Sequence, residues 1–184
     1  MSNTFPKANS NDFGYDTTQV DELVAKARLQ FTDASNQLVT AKQLRSTEFD
    51  LNKGGYSISA VDSALDRLED TFADREIKLL RESLGEQDFK AYTFRLSDLV
   101  WGRCDRPRAK RFASSGLLLR GYSKKQVDAL AERVGRHISA AQPLAVDSVR
   151  RVAFRGKRGG YSESQVDAFI DSVVELLQIE AQGL

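Results

Sequence analysis

The chain has 184 residues, of which 41% are apolar and 29% charged, and its formal net charge is +1. That composition belongs to a globular domain or a helical assembly and excludes a disordered tail. A single cysteine, Cys104, excludes an internal disulfide framework, and a single histidine, His137, excludes a histidine-built catalytic pair or metal cluster.

The near-neutral total divides unevenly. Residues 1–92 hold 11 Lys/Arg against 16 Asp/Glu, whereas residues 93–184 hold 16 against 10. Opposite-sign halves suggest self-association, or an anionic surface as partner of the second half. No apolar run approaches the roughly 20 residues that span a bilayer. The start, Met1 to Pro6, lacks the charged and apolar regions of a signal peptide. The chain is therefore expected to be cytoplasmic, with any membrane contact peripheral.

Taken in chain order, one phrase occurs four times. Gly14-Tyr15, Gly55-Tyr56, Gly121-Tyr122 and Gly160-Tyr161 are each followed, at a constant offset, by Val20-Asp21, Val61-Asp62, Val127-Asp128 and Val166-Asp167. Asp16, Ser57, Ser123 or Ser162 stands at the N-cap position. Gln19, Gln126 and Gln165 are placed to close a capping box, with Ala60 in the second copy. Tyr and Val flank the cap like a hydrophobic staple. The corner thus predicts a capped helix start in every copy.

The helices predicted after the corners differ. After the first, Val20, Val24, Ala27, Phe31, Ala34, Leu38 and Ala41 keep a coiled-coil spacing. The second runs through Val61, Leu65, Leu68 and Phe72 to a stop near Gly85. The third is short, Val127 to about Ile138 before Pro143, and the fourth reaches about Gln182. Short turns at Thr40–Arg45 and Ala145–Arg150 lead to Phe49 and Phe154 at matching distances from their corners. The tyrosines are 41, 66 and 39 residues apart, so the long interval marks a boundary between two paired halves. The reading is a degenerate first copy (1–39), a second (40–85), a linker with a basic cluster (86–110), a third copy (111–142) and a fourth (143–184).

The combination of upstream turn, phenylalanine, Gly-Tyr corner, Val-Asp and amphipathic helix resembles the N-terminal domain of the DivIVA family, in the tandem form of the small actinobacterial members. The resemblance implies an all-α fold of tandem units, paired coiled-coil-like. It implies a non-catalytic scaffold or adaptor of bacterial cell division or polar growth, at the inner face of the plasma membrane at a pole or septum. It also implies partners among division or envelope proteins. In the family an apolar and a basic side chain directly before Gly-Tyr touch the membrane. Here the third copy offers Leu117, Leu118, Leu119 and Arg120. The second and fourth have Lys53-Gly54 and Arg158-Gly159, and the first has Asp12-Phe13.

Each candidate has a plainer alternative. The corner residues are accounted for by cap, staple and turn, and Leu117–Arg120 either packs on a neighbouring copy or meets lipid or a partner. Arg103, Arg106, Arg108, Lys110 and Arg111, with Arg150, Arg151, Arg155, Lys157 and Arg158, are solvated loops or an anionic-lipid surface. Nucleic acid is disfavoured, because no recognition motif accompanies them and Asp105 interrupts the first cluster. Soluble protein interaction without a membrane role is the alternative function, and a basic nucleic-acid-associated protein is the third and less favoured one. Copies one with two and three with four are expected to pair within the chain, the alternative being a homodimer. No catalytic residue, cofactor or metal is expected; Cys104 lacks a base and Trp101 reads as a packing anchor.

Overall fold

A computed structural model describes residues 5–32, 38–116 and 118–183. They are mostly helical, with two small two-stranded sheets. The chain forms two compact units, Met1–Lys78 and Leu79–Leu184. The first carries 9 Lys/Arg against 13 Asp/Glu and the second 18 against 13.

In the first unit the order is β1 (Phe13–Tyr15), α1 (Thr17–Thr32), α2 (Ala41–Ser46), β2 (Leu51–Lys53) and α3 (Ile58–Leu84), whose last turns pass the unit boundary. The second contains α4 (Glu86–Cys104), β3 (Arg120–Tyr122), α5 (Lys124–Ala140), α6 (Val146–Arg150), β4 (Gly156–Arg158) and α7 (Glu163–Ala181). Setting α4 aside, the two units repeat one architecture. β1 pairs antiparallel with β2 and β3 with β4, in equivalent registers: Gly14 faces Asn52, and Gly121 faces Lys157. The first copy, read as degenerate, supplies a full half of its unit.

The mainly helical expectation holds, and the two small ribbons are an addition to it whose cause lies in the corner glycines. A Cβ on Gly160 would stand 2.5 Å from the Gly121 carbonyl oxygen and 2.6 Å from that of Tyr122, and a Cβ on Gly121 would collide with the Tyr161 carbonyl. Gly14 and Gly55 meet in the same way. Without side chains the two corners touch backbone to backbone. Tyr15 and Tyr56 then exchange both backbone hydrogen bonds at 2.9 Å, and Tyr122 and Tyr161 do so at 3.0 and 2.9 Å. Gly54 and Gly159 turn the chain just before, at φ of 67° and 64°. Glycine at 159 is therefore a demand of the turn.

Short two-stranded ribbons do not stand alone, so side chains must hold them. Val20, Val24, Tyr56 and Val61 form one buried cluster of the first unit, with Tyr15 and Phe49 against it. Ala27, Val39, Leu44 and Phe72 belong to a second. In the other unit a larger core gathers Val100, Cys104, Phe112, Val127, Val134, Tyr161, Val166 and Leu177, among others. Here α4 packs against both α5 and α7, and α6 against α7. The helices of the two copies share one core with α4.

Three further expectations change. Residues 86–104 are helix α4 and not a linker, because Phe89, Tyr92, Leu96, Val100 and Cys104 recur at three- and four-residue spacing and form an inner face. The first long helix is described through Thr32 and does not run on to Ala41, because residues 38–40 are not helical, and Phe31 is 59% exposed. Gln30 takes the inner position, its side-chain carbonyl accepting from both Leu38 N and Val39 N at 2.7 Å, which turns the returning chain inward. Ala34 lies outside the described residues. Finally, Ser123 and Ser162 make no side-chain cap bond. Among the described residues, Thr40 and Gln43 form a complete capping box, at the start of α2.

The C-terminus of α5 is closed by His137. Nδ1 lies 2.7 Å from the Gln142 carbonyl and Nε2 2.8 Å from Glu180 Oε2. Burial opposes the charged imidazolium, but the Glu180 carboxylate and the Gln142 carbonyl together outweigh it and hold the pKa above its ordinary value of 6.5. A group whose pKa rises on folding contributes stability that is complete below its unfolded pKa and is lost as pH climbs through the folded one. The urea midpoint of the wild type should therefore drop between pH 5.5 and pH 8 by more than that of His137→Gln. Equal drops would show that His137 contributes nothing of this kind.

Candidate functional site

The four corners make up two clasps, each closed by side chains exchanged between copies. Tyr56 Oη donates to the Asp21 carboxylate at 3.1 Å, and Tyr161 Oη to Asp128 Oδ1 at 2.9 Å. Tyr15 faces Asp62 and Tyr122 faces Asp167 in return. Each tyrosine also receives a phenylalanine from the opposite copy. Phe5 packs edge-on to Tyr56 at 5.4 Å and Phe112 to Tyr161 at 5.3 Å, while Phe49 tilts against Tyr15 and Phe154 against Tyr122, both at 5.2 Å. The repeated Tyr and Asp are thus partners across a pair of copies. Burial, reinforced by the facing aspartate, lifts all four phenols and takes Tyr161 to about 12.

The glutamines read as capping-box residues serve the clasp too. Gln126 Oε1 accepts from Arg155 N at 2.9 Å, and Gln19 Oε1 from Asp50 N at 2.9 Å. Gln165 Oε1 accepts from Ala113 N at 3.0 Å. The equivalent of Ala113 in the first unit is Pro6, since Pro6 and Ala113 carbonyls accept from Ser57 N and Ser162 N respectively. A proline has no amide to satisfy, and the residue in the glutamine position is Ala60. The missing glutamine thus answers a missing donor.

The second clasp carries an added buried ion network. Arg111, 5% exposed, lies 3.2 Å from Asp128 Oδ1 and 3.3 Å from Glu132 Oε1, and its Nε donates to the Cys104 carbonyl at 3.1 Å. Arg111 N donates to Tyr161 Oη, and Ala109 N to Asp128 Oδ2. Arg108 grips Glu132 with two bonds of 2.6 Å. That fork, together with Arg111, holds the Glu132 carboxyl down at about 2. Burial pushes the Cys104 thiol up to about 11 against the opposing pull of Arg111, so at neutral pH it is a protonated packing group. Among the described residues no group of three or more His, Cys, Asp or Glu is placed to hold a metal ion.

What the clasps leave outside is a tip. Phe5 stands ten residues before Tyr15 and Phe112 ten before Tyr122, but Phe49 and Phe154 only seven before Tyr56 and Tyr161. Odd-numbered copies therefore have a longer loop before the corner. In the first unit it is Asn9-Ser10-Asn11-Asp12, closed by an Asn9 Nδ2 to Asp12 Oδ2 bond of 2.7 Å. In the second the equivalent positions run Gly116 to Leu119, with Leu118 at 92% and Leu119 at 66% exposure. Leu117 lies outside the described residues. Arg120 follows, facing Arg158 across the β3–β4 register, and Leu118, Arg120, Lys157 and Arg158 line one open groove. The Leu118-Leu119-Arg120 part of the sequence-predicted contact is thus brought beside cations of the fourth copy, and neither described leucine is packed away.

The corner residues Gly14, Tyr15, Val20, Asp21, Gly55, Tyr56, Val61, Asp62, Gly121, Tyr122, Val127, Asp128, Gly160, Tyr161, Val166 and Asp167 are scaffold. All four valines are fully buried. No helix among the described residues is long and apolar enough to cross a membrane. Comparison with family models, curated proteins and solved structures returned no match.

Proposed function

We propose that this chain is a non-catalytic scaffold or adaptor of the DivIVA type, acting in bacterial cell division or polar growth, with a peripheral contact on an anionic inner-membrane surface. The observation that carries the reading is the pair of exposed leucines, Leu118 and Leu119, on a tip whose counterpart in the first unit is polar and self-bonded. The loop folds with polar residues, so its leucines answer to something outside the fold. Arg120, Lys157 and Arg158 flank them, the arrangement that lets apolar side chains enter the acyl boundary while cations stay among phosphates.

Magnitudes set the character of such binding. Two leucines at about 1.5 kcal/mol each and three cations at about 1 kcal/mol each give roughly 6 kcal/mol. That corresponds to an association constant on the order of 10⁴ M⁻¹, which is reversible and needs clustering or a protein partner to become stable. Division or envelope proteins would supply that second anchor.

Co-sedimentation with vesicles decides the membrane part. Wild-type chain should pellet with vesicles rich in phosphatidylglycerol and stay in solution with phosphatidylcholine alone. Leu119→Ser and Arg120→Glu should each cut the pelleted fraction several-fold without changing the circular dichroism spectrum. Wild type remaining in the supernatant with anionic vesicles would remove the membrane role and leave the soluble protein-interaction reading.

A further inference from the structure

We propose that the second unit binds a compact phosphate-bearing anion in a cleft separate from the tip. The cleft, of about 670 Å³, is walled by Arg108, Lys124, Lys125 and Arg155, with Ser123 and Asp128 between them. The cations come from three separate segments: the loop after α4, the first turn of α5, and the stretch before β4. None of the tip residues lines it.

The charges in the cleft do not cancel. Asp128 is spent inward, on Tyr161 Oη at 2.9 Å, Ala109 N at 2.8 Å and Arg111 at 3.2 Å. Glu132 fixes Arg108 from behind through the two bonds of 2.6 Å, leaving Nη1 of that guanidinium without a bond in the fork. Lys124 leans over the Tyr161 ring at 5.4 Å. The side chains of Lys125 and Arg155 have no carboxylate partner among the described residues. Like charges held together repel, and an anion among them relieves that repulsion.

The first unit shows that the fold itself does not require these cations. There the positions of Ser123, Lys124, Lys125 and Arg155 are held by Asp16, Thr17, Thr18 and Asp50. The match rests on equivalent bonds: Asp16 N to the Asp50 carbonyl and Ser123 N to the Arg155 carbonyl, Asp50 N to Gln19 and Arg155 N to Gln126. The acidic version is closed on itself. Asp16 accepts from Gln19 N at 2.9 Å and from Asn52 Nδ2 at 2.6 Å, and Asp50 accepts from Gln19 Nε2 at 2.7 Å. Where one unit carries its own carboxylates, the other has lost both, makes no cap bond from Ser123, and has gained three cations. An external anion completes it.

The lining selects the ligand class. Several ammonium and guanidinium donors around one hydroxyl suit the many acceptor oxygens of a phosphate group. The cleft lining holds no aromatic ring on which a nucleobase could stack, which disfavours single-stranded nucleic acid.

Titrating the full-length chain with inorganic pyrophosphate in chloride buffer, followed by ¹⁵N–¹H correlation spectra, tests this. Saturable shifts are expected at the amides of Ala109, Lys124, Lys125, Gln126 and Arg155. Lys125→Glu and Arg155→Glu, both at exposed positions, should weaken binding about tenfold or more. Leu119→Ser should leave it unchanged, which separates this site from the membrane tip. A parallel arm uses phosphatidic-acid vesicles. Loss of pelleting in Lys125→Glu assigns the phosphate to a lipid headgroup, and pelleting retained alongside lost pyrophosphate binding assigns it to a soluble ligand. Absence of saturation, or equal affinity in wild type and both variants, overturns the proposal. So does tighter binding of an oligonucleotide that depends on Arg103 and Lys110, residues outside the cleft.

Discussion

Replacing Asp128 with alanine is expected to destabilise the second unit by about 3–5 kcal/mol, a large share of the total stability of a small domain. The carboxylate is 5% exposed and accepts from Tyr161 Oη and Ala109 N while facing Arg111, itself 5% exposed. Removing it leaves a buried guanidinium without its nearest counter-charge and a buried phenol without an acceptor, and each is costly when desolvated. Asp21→Ala is the built-in comparison. Asp21 is exposed and, among the described residues, takes only the Tyr56 hydroxyl at 3.1 to 3.2 Å, so its loss should cost about 1 kcal/mol. Urea unfolding is followed by circular dichroism, which reads both units, and by the fluorescence of Trp101, the sole tryptophan and a residue of α4, which reports the second. A midpoint for Asp128→Ala no lower than that of Asp21→Ala would contradict the buried network.

The second large effect concerns the glycine contact. Gly160→Ala places a methyl group 2.5 to 2.6 Å from three backbone atoms of Gly121 and Tyr122, none of which is the end of a flexible side chain. The clasp must open to admit it, and with it go the β3–β4 pairing and the Tyr161–Asp128 bond. A loss of about 4 kcal/mol or more is expected. Gly102→Ala is the control. It lies in α4 with nothing within 4 Å of its would-be Cβ, and alanine there should stabilise by about 0.5–1 kcal/mol. Thermal melts by circular dichroism give both numbers. A Gly160→Ala melt indistinguishable from wild type would mean that the corners do not touch.

How much of this was legible in the sequence depends on the range of each interaction. The four-fold Gly-Tyr and Val-Asp phrase was plain, and so were the extents of α5 and α7 and the short turns that became α2 and α6, because these follow from local periodicity and turn chemistry. The use of the phrase was not. Tyr161 and Val166 sit at staple spacing within one copy, and Ser162 and Gln165 at capping-box spacing, yet Tyr161 bonds Asp128 and Gln165 bonds Ala113. Four copies of one phrase give the same local pattern whether a bond closes within a copy or across two. Helix α4 is readable from Phe89, Tyr92, Leu96, Val100 and Cys104, but the arginines, Trp101 and Gly102 at its end have the composition of a loop. Sequence neighbourhood groups the basic residues, whereas folding divides them. Arg111 is buried in the clasp, Arg108 and Arg155 meet in the cleft, and Lys157 and Arg158 flank the tip.

The proposed division of labour, with scaffold in the corners and contact at the tip and cleft, depends on the corners being used up in pairing inside one chain. If they paired between chains, tips and cleft walls would be assembled from two molecules and the arithmetic of binding would change. An isotope-filtered NOE experiment on a mixture of ¹³C-labelled and unlabelled chain asks this directly. With Tyr161 and Asp128 of one chain in contact, cross-peaks between the Tyr161 ring and the Asp128 β-protons should be strong in the uniformly labelled sample. They should be absent from the spectrum filtered for contacts between labelled and unlabelled chains. Their appearance in the filtered spectrum, at a strength matching the labelled fraction, would contradict the account.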